Sequence, residues 1–286
     1  MLQFRSLFLA LALLSAAVIP SFAVTTVPAP VNIGLRDVIN TVEQSFSSAN
    51  RYDSPDNDIF LVDLTADFFQ RSILAKNNRE LRADGQFYLK NADYQRRDPL
   101  MFRFDYYRPT THEIVSDGST LWTYLPENRQ VIVSDMSSFF NPDLSDPARN
   151  SGFNFLQGLS RISKDFEILF SQQGRDMDGN YILELTPRRA MESIEKLFVV
   201  VRFESVRRFV QNGRRIINPA YKNNRRADLP RPEWAFPILS TTVIDHQGNS
   251  TTLEFSNIKA NMGLSGGLFK FDIPADVQAV RPPGSR

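Results

Sequence analysis

Apolar residues at Leu35, Val38, Ile39, Val42 and Phe46 recur at the three-and-four spacing of one helix face, and predict a helix that opens the folded region. Turn chemistry from Arg51 to Asp58 (RYDSPDND) ends it. From Phe60 the period falls to two, which predicts strands over 60–74, 81–90, 100–106, 111–116, 120–125 and 130–134. Ser116-Asp117-Gly118-Ser119 carries the Asp-Gly signal of a tight hairpin. Phe153, Leu156, Leu159 and Ile162 return to helical spacing and predict a second helix over 153–162. Strands then resume over 166–172, 181–186, 197–203, 239–245, 250–258 and 269–273.

About a dozen strands and two helices, without strand-helix alternation, exclude a doubly wound α/β architecture. The predicted class is mainly β with α (α+β), as one large curved antiparallel sheet or an open, incomplete β-barrel. The segment 204–237 stands out, with three Arg-Arg pairs and several prolines. It reads as a basic insertion between two strands, far longer than a hairpin loop. A solvated loop is one account. Docking of an anionic headgroup or acidic partner through Arg207, Arg208, Arg214, Arg215, Arg225 and Arg226 is the other.

Charge adds little: Lys+Arg 33 against Asp+Glu 32 leaves no overall field that would select nucleic acid. The N-terminus adds more. Arg5, an apolar run from Leu7 to Val18 and small residues at Ser21 and Ala23 form the three-part pattern of a secretory signal peptide cleaved near Ala23. The expected organisation is signal peptide 1–23, flexible lead 24–34, one domain over 35–281 and a tail over 282–286. With Cys 0, the chain forms neither a disulfide nor a thiolate metal site, so packing stabilises it.

Catalytic constellations lack their context. Gly263-Leu264-Ser265-Gly266-Gly267 matches the nucleophile-elbow string, but a predicted strand follows it and both histidines lie upstream. His112 and His246 sit on separate segments, in no metal-ligand spacing. Asp176-Met177-Asp178-Gly179-Asn180 lacks the glycine and glutamate of a calcium loop and reads as a hairpin turn. No phosphate-binding glycine motif is present. The expectation is a non-enzyme with no cofactor and no metal.

Phe 23 against Trp 2 and Tyr 8 means abundant purely apolar ring surface. Alternation puts Phe102, Phe104 and Tyr106 on one face of a strand, Phe87 with Leu89, Trp122 with Tyr124, and Leu253 with Phe255. These sets make either an ordinary filled core or the lining of a cavity for an apolar ligand; periodicity alone fits both.

Several strings, in order, resemble the periplasmic outer-membrane lipoprotein carrier family, LolA. They are Ala66-Asp67-Phe68-Phe69-Gln70, Gly85-Gln86-Phe87-Tyr88-Leu89, Pro99-Leu100-Met101-Phe102-Arg103-Phe104-Asp105-Tyr106, Ile114 to Tyr124, Leu185-Thr186-Pro187, Asp245 to Asn249 and Phe269-Lys270-Phe271-Asp272-Ile273-Pro274. The resemblance runs from about residue 35 to residue 280. It implies an incomplete barrel whose helices form a lid over a hydrophobic cavity, and a monomer that carries acylated lipoproteins through the periplasm. The implied partners are an inner-membrane lipoprotein-releasing ABC transporter and an outer-membrane acceptor protein or bilayer. The same-face sets and the family strings together give the expected cavity residues: Phe68, Phe87, Leu89, Phe102, Phe104, Tyr106, Trp122, Tyr124, Leu253 and Phe255. The family's Arg-Pro latch is replaced here by Asp98-Pro99, which leaves Arg96 and Arg97 as the latch candidates. A lipid- or lipoprotein-binding sensor of the same fold, without carrier activity, is the alternative.

Overall fold

The computed structural model describes residues 32–46, 61–91, 99–136, 159–191, 194–214 and 233–281. Among them are twelve strands and three α-helices. Helix α1 (Leu35–Phe46) opens the domain, and β1 (Asp63–Leu74), β2 (Arg79–Lys90), β3 (Met101–Arg108), β4 (His112–Ser116), β5 (Thr120–Leu125) and β6 (Gln130–Asp135) follow. A short helix α2 (Ile162–Asp165) precedes β7 (Phe166–Arg175), β8 (Tyr181–Pro187) and β9 (Lys196–Val201). Helix α3 (Phe203–Gln211) then leads to β10 (Ile238–Ile244), β11 (Ser250–Ala260) and β12 (Gln278–Val280).

All twelve strands form one sheet, ordered β12-β6-β5-β4-β3-β2-β1-β11-β10-β9-β8-β7. Two meanders join where β1 pairs with β11. The curved sheet does not close, because β7 and β12 remain its two edges. Every pairing is antiparallel except β12 with β6, which is parallel. A bulge lets one face of β11 stay apolar. Asn257 takes a positive φ of 50°, so that Phe255 and Ile258, three positions apart, both enter the main buried cluster.

The described part of the predicted second helix is a 3-10 turn over Leu159–Arg161 continued by α2; residues 153–158 lie outside the described residues. The expected insertion at 204–237 begins as helix α3, with Val206 and Phe209 buried. Its Phe203, Val206 and Val210 repeat is helical, but the surrounding charge masks it. The strand expected over 269–273 is corrected. Gly266–Phe269 is a 3-10 turn, and the C-terminal edge strand forms later, at β12. Ser265 caps that turn by accepting from the Gly267 N–H at 3.2 Å.

Residues 261–277 cross the outer face of the sheet before β12 joins its edge. The Asp63 carboxylate is 1% exposed and accepts the backbone N–H groups of Gly263 at 3.0 Å and Leu264 at 2.9 Å, with Met262 also donating. Gly263 takes φ +76°, which curls these donors around one anion. The string that matched a nucleophile elbow therefore anchors a crossing segment. Lys90 Nζ and an Arg103 guanidinium N–H donate to the carbonyl oxygens of Leu264 and Leu268 further along. Replacing Asp63 with Ala leaves several N–H groups without an acceptor. It should lower unfolding free energy by about 3 kcal/mol, read by urea denaturation, with hydrogen exchange rising first at 262–264.

Candidate functional site

The inner face of the sheet is assembled by register. Leu64 pairs with Leu89 and Ala66 with Phe87, while Phe87 pairs with Phe104 and Leu89 with Phe102. On the other side Phe68 pairs with Phe255. The rings then pack edge to face or tilted: Phe87 to Phe104 with centroids 4.4 Å apart, Phe68 to Phe104 at 5.3 Å and Phe87 to Phe255 at 5.4 Å. Gly85 lies opposite both Phe68 and Tyr106, whose centroids come within 4.8 Å. A Cβ there would meet the Asp105 carbonyl oxygen at 1.9 Å and the Phe68 ring at 2.9 Å, so a glycine is required. Eight of the ten expected cavity residues, Phe68, Phe87, Leu89, Phe102, Phe104, Tyr106, Leu253 and Phe255, join this one buried cluster.

The other two are corrected. Trp122 pairs with Val115 and Tyr124 with Glu113, and these in turn pair with Arg103 and Asp105. That register puts Trp122 and Tyr124 on the outer face, where the Tyr124 ring lies 5.4 Å from Phe271 of the crossing segment. Leu121, their strand neighbour, is the residue of β5 that enters the main cluster. Arg103 bridges Asp105 at 2.7 Å and Glu113 at 2.8 Å on this outer face. Burial still pushes the Glu113 carboxyl up from its ordinary value, with Arg103 opposing.

The inner face is covered by α1, the 159–165 turn and helix, α3 and the Glu233–Ala235 turn, whose apolar residues join the same cluster. Phe236 is the link, 5.9 Å from Phe46 of α1 and 5.6 Å from Phe255 of the sheet. Helix α1 buries Val38, Val42 and Phe46, and beside them a polar stripe of Asp37, Thr41 and Ser45. The two hydroxyls of the stripe are satisfied within the helix: Thr41 donates to the Asp37 carbonyl at 2.7 Å and Ser45 to the Thr41 carbonyl at 2.8 Å.

Polar ties hold α1 down at three places. Arg214 donates to the buried Asp37 carboxylate at 2.8 Å. The Ser163 N–H and hydroxyl donate to Glu43 at 2.9 and 2.7 Å. The Asn91 amide donates to the Phe46 and Leu61 carbonyls at 3.2 and 2.9 Å.

Arg96 and Arg97, the expected latch candidates, lie outside the described residues, as do Arg215, Arg225 and Arg226. The three described arginines of the basic set are each already engaged. Arg207 and Arg208 both donate to Glu204, at 2.7 and 2.6 Å, and Arg214 holds Asp37. Arg207 hydrogen bonding keeps the Glu204 carboxyl below its usual range.

His112 stacks on Tyr106 at 3.9 Å, and burial lowers its pKa; His246 Nε2 meets the Met191 carbonyl at 2.8 Å. Asp176 organises the β7–β8 hairpin by accepting from the Asp178 and Asn180 N–H groups. Among the described residues no cluster of His, Asp or Glu suits a metal ion.

An open sheet curled around one apolar face, beneath helices that touch it chiefly through rings and aliphatic side chains, defines a class of protein built around that face. The family model described as "Outer membrane lipoprotein carrier protein LolA" matches residues 61–210, and the chain belongs to that family, as a divergent member. An outer-membrane lipoprotein carrier protein of Francisella tularensis subsp. novicida is 24% identical over 217 residues, covering 76% of this chain and 80% of the relative. The protein of the same description from Pseudomonas paraeruginosa is 22% identical over 219 residues, covering 76% and 81%. The crystal structure of a LolA superfamily protein from Nitrosomonas europaea aligns with a TM-score of 0.38 and 13% identity, covering 84% of this chain and 99% of that one.

Replacing Arg214 with Ala should loosen α1 without touching the sheet. Loss of an ion pair of this exposure is worth about 1 kcal/mol, so amide exchange over 35–46 should accelerate about fivefold while that of β1 and β2 stays unchanged. Equal protection of α1 in both proteins would show that the pair is no tether.

Proposed function

We propose that the protein is a periplasmic chaperone that shelters the acyl chains of lipoproteins and carries them from the inner to the outer membrane. The observation that carries this reading is the continuous aromatic inner face, roofed by short helices instead of a second sheet. Family membership and the carrier descriptions of the relatives support it. The signal-peptide pattern of residues 1–23 supports export.

The need is physical. Each methylene exposed to water costs about 0.8 kcal/mol, so a chain of roughly fourteen CH2 groups resists aqueous transfer by about 11 kcal/mol. A soluble carrier must enclose it. In the described state Phe87, Phe104 and Leu89 are fully buried under the cover, so loading requires α1 and the Phe236 segment to swing aside. Rings suit the vacated face because they offer large contact area with few rotors to freeze. Loading from a transporter and unloading to a tighter acceptor then follow differences in affinity, with no chemical step in the carrier itself. The alternative, a lipid- or lipoprotein-binding sensor of the same fold, would signal through the basic insertion, whose described arginines Arg207, Arg208 and Arg214 are engaged within the chain.

Native mass spectrometry of the protein purified from periplasm should find an acylated species bound. Replacing Phe104 with Glu puts a charge on the inner face and should abolish that species while the far-UV spectrum remains native. Replacing Phe255 with Ala gives an uncharged second variant, expected to weaken capture several-fold. Undiminished capture by both folded variants would refute the acyl-binding role of this face.

A further inference from the structure

The inner face changes character along its length. Following β1 from Asn91 and the end of α1 toward the β1–β2 hairpin, the inward residues run Leu64, Ala66 and Phe68, all within the buried cluster, then Gln70 and Ser72, both only half-buried. On β11 the same direction runs Ala260, Ile258, Phe255 and Leu253, then Thr251. Along these two paired strands the apolar residues thus give way to Gln70, Ser72 and Thr251, while Val243 of β10, paired with Thr251, stays in the cluster.

These polar groups are linked. The buried Tyr106 hydroxyl donates to Gln70 Oε1 at 2.7 Å, and burial raises the Tyr106 pKa, so it remains a donor. That bond orients the carboxamide with its NH2 toward Ser72, where Nε2 to Oγ is a long 3.4 Å. Ser72 Oγ lies 3.1 Å from Thr251 Oγ1. His112 stacks on the same Tyr106 ring, with Nδ1 3.2 Å from the Thr110 carbonyl. The result is a half-buried ledge of amide and hydroxyl donors, at the end of the face remote from the Asn91 tie. The stretch from Leu64 to Gln70 spans about 20 Å, on the scale of a long fatty acyl chain.

We propose that Gln70, Ser72 and Thr251 form a subsite for the ester or amide carbonyls that join acyl chains to their glyceryl-cysteine head, with the hydrocarbon lying along Phe68, Phe87 and Phe104. This deepens the acyl-binding reading and rests on it. The ledge donates hydrogen bonds to carbonyls that would otherwise lie on the inner face unpaired. It thereby sets the direction of the cargo, chain ends toward Leu64 and the peptide toward the β1–β2 hairpin end. Free hydrocarbon gains nothing from it.

Two probes separate the claims: a synthetic dipalmitoyl-glyceryl-cysteine peptide, and diphenylhexatriene, which has no hydrogen-bonding group. Replacing Gln70 with Leu should weaken the lipopeptide about tenfold, the loss of one good hydrogen bond, while diphenylhexatriene binds as in the parent. Replacing Thr251 with Val, an isosteric change on a half-exposed side chain, should act in the same direction by a few fold. Lipopeptide affinity unchanged in both variants, or equal loss of both probes, overturns the subsite. A parent protein that takes up neither probe overturns the acyl-binding reading itself.

Discussion

A sheet with one continuously apolar face cannot leave that face in water, and this constraint organises the molecule. Each large aromatic left exposed there would forfeit about 2 kcal/mol of transfer free energy, and the register stacks Phe68, Phe87, Phe102, Phe104 and Phe255 side by side. Closing the barrel would bury them permanently. The chain instead keeps β7 and β12 as open edges and roofs the face with α1, α3 and the Phe236 segment. The rings Phe46, Phe236 and Phe255 form the seam between roof and sheet.

The outer face solves a smaller version of the same problem. Val115 and Val131 are fully buried yet lie outside the main cluster, as does Phe269 of the C-terminal crossing segment that covers this face. Its hold on the sheet is mostly polar: the Asp63 carboxylate among backbone N–H groups, with Lys90 and Arg103 on carbonyls. The two faces are therefore secured differently. The outer cover is pinned by an anion in a nest of donors and by a parallel edge strand; the inner cover rests mainly on apolar contact.

That division explains what was legible in the sequence. Helix α1 and nearly all the strands were readable because their apolar spacing is undiluted, and the Asp-Gly hairpin formed where its signal stood. Helix α3 was not, because arginines on its solvent side hid the Phe203, Val206 and Val210 repeat. Trp122 and Tyr124 were misplaced for a deeper reason. Alternation states which residues of one strand share a face, but only pairing states which face of the next strand continues it. Here Ser116 and Leu121 extend the line of Phe102, while an apolar outer face leaves both phases of β5 looking like core. Phe269-Lys270-Phe271 alternates as a strand would, yet the Ser265 cap and the two glycines after it turn the chain first. The Gln70 ledge was visible only as part of a family string, since nothing in one dimension brings it to Tyr106 and Thr251.

On the proposed reading, a cover that must both seal and lift faces a dilemma, because buried polar groups bonded across the seam would be orphaned on opening, at about 1–3 kcal/mol each. Helix α1 avoids most of this cost. The hydroxyls of Thr41 and Ser45 bond to carbonyls of their own helix and travel with it, so its buried polar stripe needs nothing from the sheet. The groups that do span the seam lie toward its margins: Asp37 with Arg214, whose side chain is 56% exposed, Glu43 with the exposed Ser163 site, and, at the helix end, Asn91 with the Phe46 carbonyl and the Leu61 N–H with the Ser45 carbonyl. Water can replace the first two as they part. What remains is the exposure of Val38, Val42 and Phe46, and on the proposed reading an incoming acyl chain replaces their apolar contact on the ring face with contact of the same kind. Loading then exchanges hydrocarbon for hydrocarbon across a surface already dry, which keeps the closed and loaded states close enough in free energy for partners to decide between them.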